Sequence, residues 1–180
     1  NGLDDATDIG PVVNTSQLEK IASYMSVGRD DGATLACGGA RAIGDGLDAG
    51  YYFQPTVFTD TKPGMRIAQE EIFGPVTALI RVGSLDEAVE VNNNVPYGLS
   101  SSIYTRDVNK AFKAIERLDT GIVYINAGTI GAEVHLPFGG VRGTGNGHRE
   151  AGIAALETFT EWKSVYVDYS GKLQKAQIDD

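Results

Sequence analysis

Val76-Thr77-Ala78-Leu79-Ile80-Arg81-Val82, then Ser84-Leu85-Asp86-Glu87-Ala88-Val89-Glu90-Val91-Asn92-Asn93, then Leu99-Ser100-Ser101-Ser102-Ile103-Tyr104-Thr105 is the run whose rhythm decides the fold. The first piece is a short apolar run of the buried-strand type. The second opens on a capping serine with Asp86 and Glu87 in its first turn, the composition of a helix start. The third is again extended. Further on, Asp107 caps a helix that sets Val108, Ala111, Phe112, Ile115 and Leu118 on one face, and residues 121–126 make the next strand. Strand and helix alternating at these lengths require crossover connections and therefore parallel pairing. The expected fold is α/β, a Rossmann-like, mostly parallel sheet with helices on both faces.

Upstream, Asn14-Thr15-Ser16 followed by Gln17 and Glu19 reads as a helix start, and Leu18, Ile21, Ala22 and Met25 recur at helical spacing until Asp31-Gly32. Residues 33–37 form a short strand, 38–50 a Gly/Asp-rich loop and 51–58 an aromatic strand. Downstream, 126–147 has almost no period. A helix is expected over 149–161, with Ile153, Leu156 and Phe159 on one side. Residues 163–169 then alternate, Val165, Val167 and Tyr169 against Tyr166 and Asp168, which predicts a terminal strand. Such a strand needs a partner in its own sheet or in a neighbouring subunit.

Bulk composition narrows the function. The 180 residues are 42% hydrophobic and 8% aromatic, enough for a real core. A net charge of −9, spread along the chain without a Lys/Arg cluster, repels phosphate backbones and argues against nucleic acid. No apolar run reaches the roughly 20 residues of a membrane helix. The single cysteine, Cys37, excludes an internal disulfide framework and suits a reducing, cytoplasmic setting. The chain opens Asn1-Gly2-Leu3, with neither an initiator Met nor a secretion signal, and reads as an internal start.

Five short signals carry a family resemblance: Thr7-Asp8-Ile9-Gly10-Pro11, Gly50-Tyr51-Tyr52-Phe53-Gln54-Pro55-Thr56, Glu70-Glu71-Ile72-Phe73-Gly74-Pro75, Tyr97-Gly98-Leu99 and Leu136-Pro137-Phe138-Gly139-Gly140. In this order and spacing they make the chain resemble the C-terminal part of the NAD(P)-dependent aldehyde dehydrogenase superfamily. Gly131-Ala132-Glu133 is similar to the aminoadipic semialdehyde dehydrogenase-like subgroup. The resemblance implies an incomplete catalytic domain over residues 1–162 and an oligomerisation strand and tail over 163–180. It also implies that the family's cysteine nucleophile and general-base glutamate belong upstream of the Thr-Asp-Ile-Gly-Pro segment. Alone, the chain is expected to be inactive. The family reaction is attack of a thiolate on an aldehyde, hydride transfer to NAD or NADP, and hydrolysis of the resulting thioester.

Residue by residue, the resemblance gives Glu71 and Phe73 to the cofactor. An ionised carboxylate has acceptors for both ribose hydroxyls, and a phenyl ring two positions on offers a flat surface beside the nicotinamide. Gly74 and Pro75 are expected to set the turn that puts both on one cleft wall. Phe138, Asn126 and Ile130 are assigned to the substrate passage, where an aldehyde must lose its water before meeting a thiolate. Thr144-Gly145-Asn146-Gly147-His148-Arg149-Glu150 holds one residue more than the family pattern and is expected to bulge.

Other side chains invite chemistry less. Cys37 lies far in sequence from either histidine and is expected to be a packed, inert thiol. His135 and His148 lack partners at metal-ligand spacing, so no metal is expected. The expected partners are a small aldehyde and further copies of the chain, as a dimer or tetramer joined through the terminal strand. A non-catalytic assembly protein on the same scaffold is the rival reading.

Overall fold

The computed structural model describes residues 2–172. The first helix, α1 (Thr15–Asp30), starts where Asn14 turns its side chain back to accept the Gln17 N–H at 2.9 Å. It buries Leu18, Ile21, Tyr24 and Met25 along one stripe. That stripe lies on a sheet of three strands, β1 (Thr34–Cys37), β2 (Thr56–Thr59) and β3 (Val76–Ala78), in the order β1-β2-β3. β1 pairs antiparallel with β2, and β2 pairs parallel with β3 across a crossover that contains the short α2 (Arg66–Gln69). Helix and sheet approach closely because residue 28 is glycine: a Cβ there would lie 2.7 Å from Phe58 Cε1. Phe58 and Ile21 are completely enclosed, at the centre of a core that also takes Phe53, Met65, Ile67 and Ile72.

The second half is a strand–helix–strand unit preceded by one helix. α3 (Leu85–Asn93) is capped by Ser84, which accepts from Glu87 N–H, while Glu87 returns a carboxylate to Gly83 N–H at 2.7 Å. β4 (Ser100–Ile103) and β5 (Ile122–Ile125) pair in parallel, joined by α4 (Val108–Arg117) with Asp107 as its cap. α5 (Ala154–Phe159) follows a long loop. The α/β class and the parallel pairing are as the alternation of strand and helix requires.

Several expectations are corrected. The sheet is not continuous: β1-β2-β3 and β4-β5 are separate. Asp60, at φ +55°, turns the chain and ends β2, so the β3 ladder closes with Leu79 N–H on Phe58 O instead of running to Val82. The last helix begins at Ala154, not at Arg149. Glu150 is held in a bridge to Phe138, and Ala151 and Gly152 adopt left-handed backbones that no helix accepts. Residues 163–169 form no ladder among the described residues and lie exposed, since no strand lies alongside them to pair with. The rest of the expected oligomerisation tail, 173–180, lies outside the described residues. Cys37 is exposed, not packed, because β1 is an edge strand whose register slips between Leu35 and Cys37.

Candidate functional site

The bend at residues 70–75 is carried by α1. One turn after another of that helix presents Gln17, Lys20, Ile21 and Tyr24 to it. The Gln17 amide donates to Ile72 O at 2.8 Å and to Phe73 O at 2.9 Å, and Lys20 Nζ donates to Glu71 O at 2.7 Å. Gly74 passes so near α1 that a Cβ would overlap Ile21. The left-handed residue of the turn is Phe73, at φ +56°, not the glycine beside it. A bulky side chain in that region costs about 1–3 kcal/mol. The bonds from Gln17 and Lys20, at about 0.5–1.5 kcal/mol each, are of the size needed to hold it there.

The two glutamates of the bend divide their work. Glu70 receives two guanidinium bonds from Arg66, both 2.9 Å, and the Tyr24 hydroxyl at 2.6 Å. The Arg66 guanidinium, then the tyrosine hydroxyl, hold the Glu70 carboxyl down to about 2. The same bond to Glu70 raises the Tyr24 hydroxyl, whose proton is committed to the carboxylate. Glu71 differs. Its side chain is exposed and engaged by no group among the described residues. Of the two carboxylates, Glu70 is committed to Arg66 and Tyr24, and Glu71 is the one left without such a bond.

Phe73 keeps 71% of its surface exposed and lines an apolar cleft of about 680 Å³ with Ile9, Pro11, Val13, Gln17 and Pro75. Glu71 does not line this cleft, and neither does Phe138. Phe138 instead shares a second cleft, of about 450 Å³, with Ile130, Tyr124 and Pro137. The structure thus brings Phe138 and Ile130 to one cleft, and neither lines the cleft of Phe73. Asn126, at φ +55°, spends its amide on Thr105, accepting the N–H at 2.8 Å and donating to the carbonyl at 3.0 Å. It fixes the start of the 127–133 loop without lining the cleft itself, and Tyr124 ties the far side through its hydroxyl to Gly131 O.

Behind Phe138 sits a knot that sequence reasoning missed. The carbonyl of Gly98 accepts both Gly121 N–H and Val141 N–H at 3.0 Å, while its own N–H bonds Thr144 Oγ1. The Arg142 guanidinium reaches the carbonyls of Asn93, Tyr97 and Asp119, with the Asp119 carboxylate at 3.2 Å. A lone arginine inside a glycine-rich loop was the available signal, as were Gln17 and Lys20 beside the apolar stripe of α1. No group of three His, Cys, Asp or Glu able to hold a metal occurs among the described residues. No helix among them is long and apolar enough to cross a membrane.

Residues 1–165 match the aldehyde dehydrogenase family. The chain belongs to that family. This aldehyde dehydrogenase chain is 44% identical over 163 residues to an α-ketoglutarate semialdehyde dehydrogenase of Haloferax volcanii, covering 90% of itself and 34% of the relative. It is 42% identical over 168 residues to a betaine aldehyde dehydrogenase of Mesorhizobium japonicum, covering 93% and 34%. Among solved structures, an aldehyde dehydrogenase of Mycobacterium tuberculosis complexed with NAD+ superposes with a TM-score of 0.86 at 39% identity, over 95% of this chain and 34% of that one. The chain spans about a third of the length of the relatives it matches.

Proposed function

We propose that the chain is part of an NAD(P)-dependent aldehyde dehydrogenase that oxidises an aldehyde or semialdehyde to the carboxylic acid. The observation that carries this reading is the bend in which Glu70 is immobilised and Glu71 left free beside an exposed Phe73. The residues fit the cofactor: an unengaged carboxylate suits the paired hydroxyls of a ribose, and an open phenyl face suits a nicotinamide ring. When bound, NAD(P)+ supplies the hydride acceptor. Glu71 would accept both ribose hydroxyls, Phe73 would keep water from one side of the ring, and Gln17 and Lys20 would fix the backbone beneath them. Phe138 and Ile130 would desolvate the aldehyde, with Asn126 holding the loop that carries Ile130.

The nucleophilic thiolate and the general base are supplied outside these 180 residues. Cys37 sits on the edge strand of the first sheet and lines neither the Phe73 cleft nor the Phe138 cleft. The names of the relatives support aldehydes with a charged group, and the complex of the M. tuberculosis enzyme supports NAD+. A cytoplasmic location suits the exposed thiol, and residues 163–169 suit pairing with another subunit as a dimer or tetramer.

Two experiments test the reading. The purified chain, given an aldehyde panel with NAD+ or NADP+, is expected to form no reduced cofactor; turnover that survives Cys37→Ala contradicts it. In the assembled enzyme, Glu71→Gln is expected to slow single-turnover hydride transfer by about 10- to 100-fold, the loss of one charge-assisted bond of about 1.5–3 kcal/mol. An unchanged rate removes Glu71 from the mechanism.

A further inference from the structure

We infer that Arg142 is a positioning residue that sets the width of the aldehyde cleft. The inference builds on the reading of Phe138 as a wall of the substrate passage. Two walls face each other across that cleft: the Pro137-Phe138 turn on one side, and on the other β5 with the loop that carries Ile130. Both walls lead back to the guanidinium. Arg142 lies two residues beyond Gly140, at the end of the Phe138 turn, and holds the carbonyls of Asn93, Tyr97 and Asp119. Asp119 lies two residues before Gly121, which opens the path into β5. A Cβ on Gly121 would overlap the Gly139 carbonyl, so the two walls already touch at their base.

The planar fork suits this task. It delivers fixed N–H directions to carbonyls from separate loops, which a single ammonium cannot reproduce. The left-handed backbone of Arg142, at φ +54°, aims the side chain inward, and three quarters of that side chain is covered. The bonds from Gly121 and Val141 to Gly98 O tie the same two loops at their base, and the guanidinium adds a second tie, from residue 142 to Asp119. Removing the guanidinium therefore leaves the base ties in place but loosens the Phe138 turn against the approach to β5 and widens the passage, without removing any bond to residues 70–75.

The test compares kcat/KM for hexanal and acetaldehyde in the assembled enzyme at saturating NAD+. In Arg142→Ala the ratio is expected to move toward hexanal by about three- to tenfold, less than the roughly 10- to 200-fold that one whole methylene commands in an apolar pocket. Arg142→Lys, which keeps the charge and loses the fork, is expected to fall between wild type and Arg142→Ala, and carries the test if the alanine variant does not fold. A ratio that stays constant while both substrates decline in parallel, with a lowered Tm, is a merely structural effect and overturns the inference. Phe138→Ala separates the two failures. If it shifts the ratio and the Arg142 variants do not, only the positioning role is lost. If Phe138→Ala also leaves the ratio unmoved, the substrate wall itself is wrong.

Discussion

Ile21 on α1 and Phe58 on β2 share one core with no exposed surface, whereas Phe112 and Ile115 on α4 remain 67% and 48% exposed. Both helices carry an apolar stripe. α1 buries its large side chains. α4 buries only Ala111 and Ala114, and turns its larger apolar groups outward. Ile153, Leu156 and Phe159 on α5 are exposed in the same way. The first half is a closed core that holds the Glu71–Phe73 bend in place. The second half is one layer of a core, with an uncovered apolar side of the kind that marks a contact surface.

This contrast can be broken most forcefully at Phe58. Phe58→Ala is expected to cost about 3–5 kcal/mol, read as a lowered urea midpoint, because the surrounding core cannot collapse into the void. A cost below about 1 kcal/mol would mean that the first half is not the closed core described here. Next comes Gly74→Ala, whose new methyl meets Ile21. It is expected to cost about 1–3 kcal/mol by overpacking and to raise hydrogen exchange in the 70–76 peptide. If exchange is unchanged, α1 does not set the bend.

Glu70 offers a sharper probe, since its carboxyl is held at about 2 instead of the ordinary 4.5 by Arg66 and Tyr24. A group depressed on folding contributes stability that is complete above its unfolded value and lost as the pH falls through its folded one. Stability carried by Glu70 is thus expected to fade between pH 4.5 and about 2. Glu70→Gln should flatten denaturation midpoints across that window. Identical pH dependence in wild type and variant would dissolve the anchor. The smallest effect is expected at the other pole: Phe112→Ser should change the stability of the chain by less than about 0.5 kcal/mol while reducing self-association in sedimentation velocity. A large loss of stability there would show that α4 is already covered.

How far the sequence could be read follows the range of the interactions. Asn14, Ser84 and Asp107 were legible as caps because a cap bonds within three residues of itself. Strand limits were not. β3 ends because β2 ends at Asp60, and no local pattern in the 76–82 run records that. The helix expected from Arg149 failed for a similar reason, since Glu150 is claimed by Phe138 across the loop. At the site, the Glu71 and Phe73 pair was visible as a motif, and Phe138 with Ile130 did converge on one cleft. Their supports were hidden. Gln17 reaches residues 72 and 73 from the far end of the first core, and Arg142 gathers loops that start at Asn93, Tyr97 and Asp119. The left-handed turn at Phe73 instead of Gly74 belongs with these, because only the bonds from α1 make it tolerable.

The struts from Gln17 and Lys20 all terminate on main-chain oxygens. The side chain at position 71 bears none of that mechanical burden, so it can be exchanged like a tip on a fixed handle. The chemistry displayed at residue 71 is therefore open to redesign without refolding the bend, and the helix that supports it need not be altered.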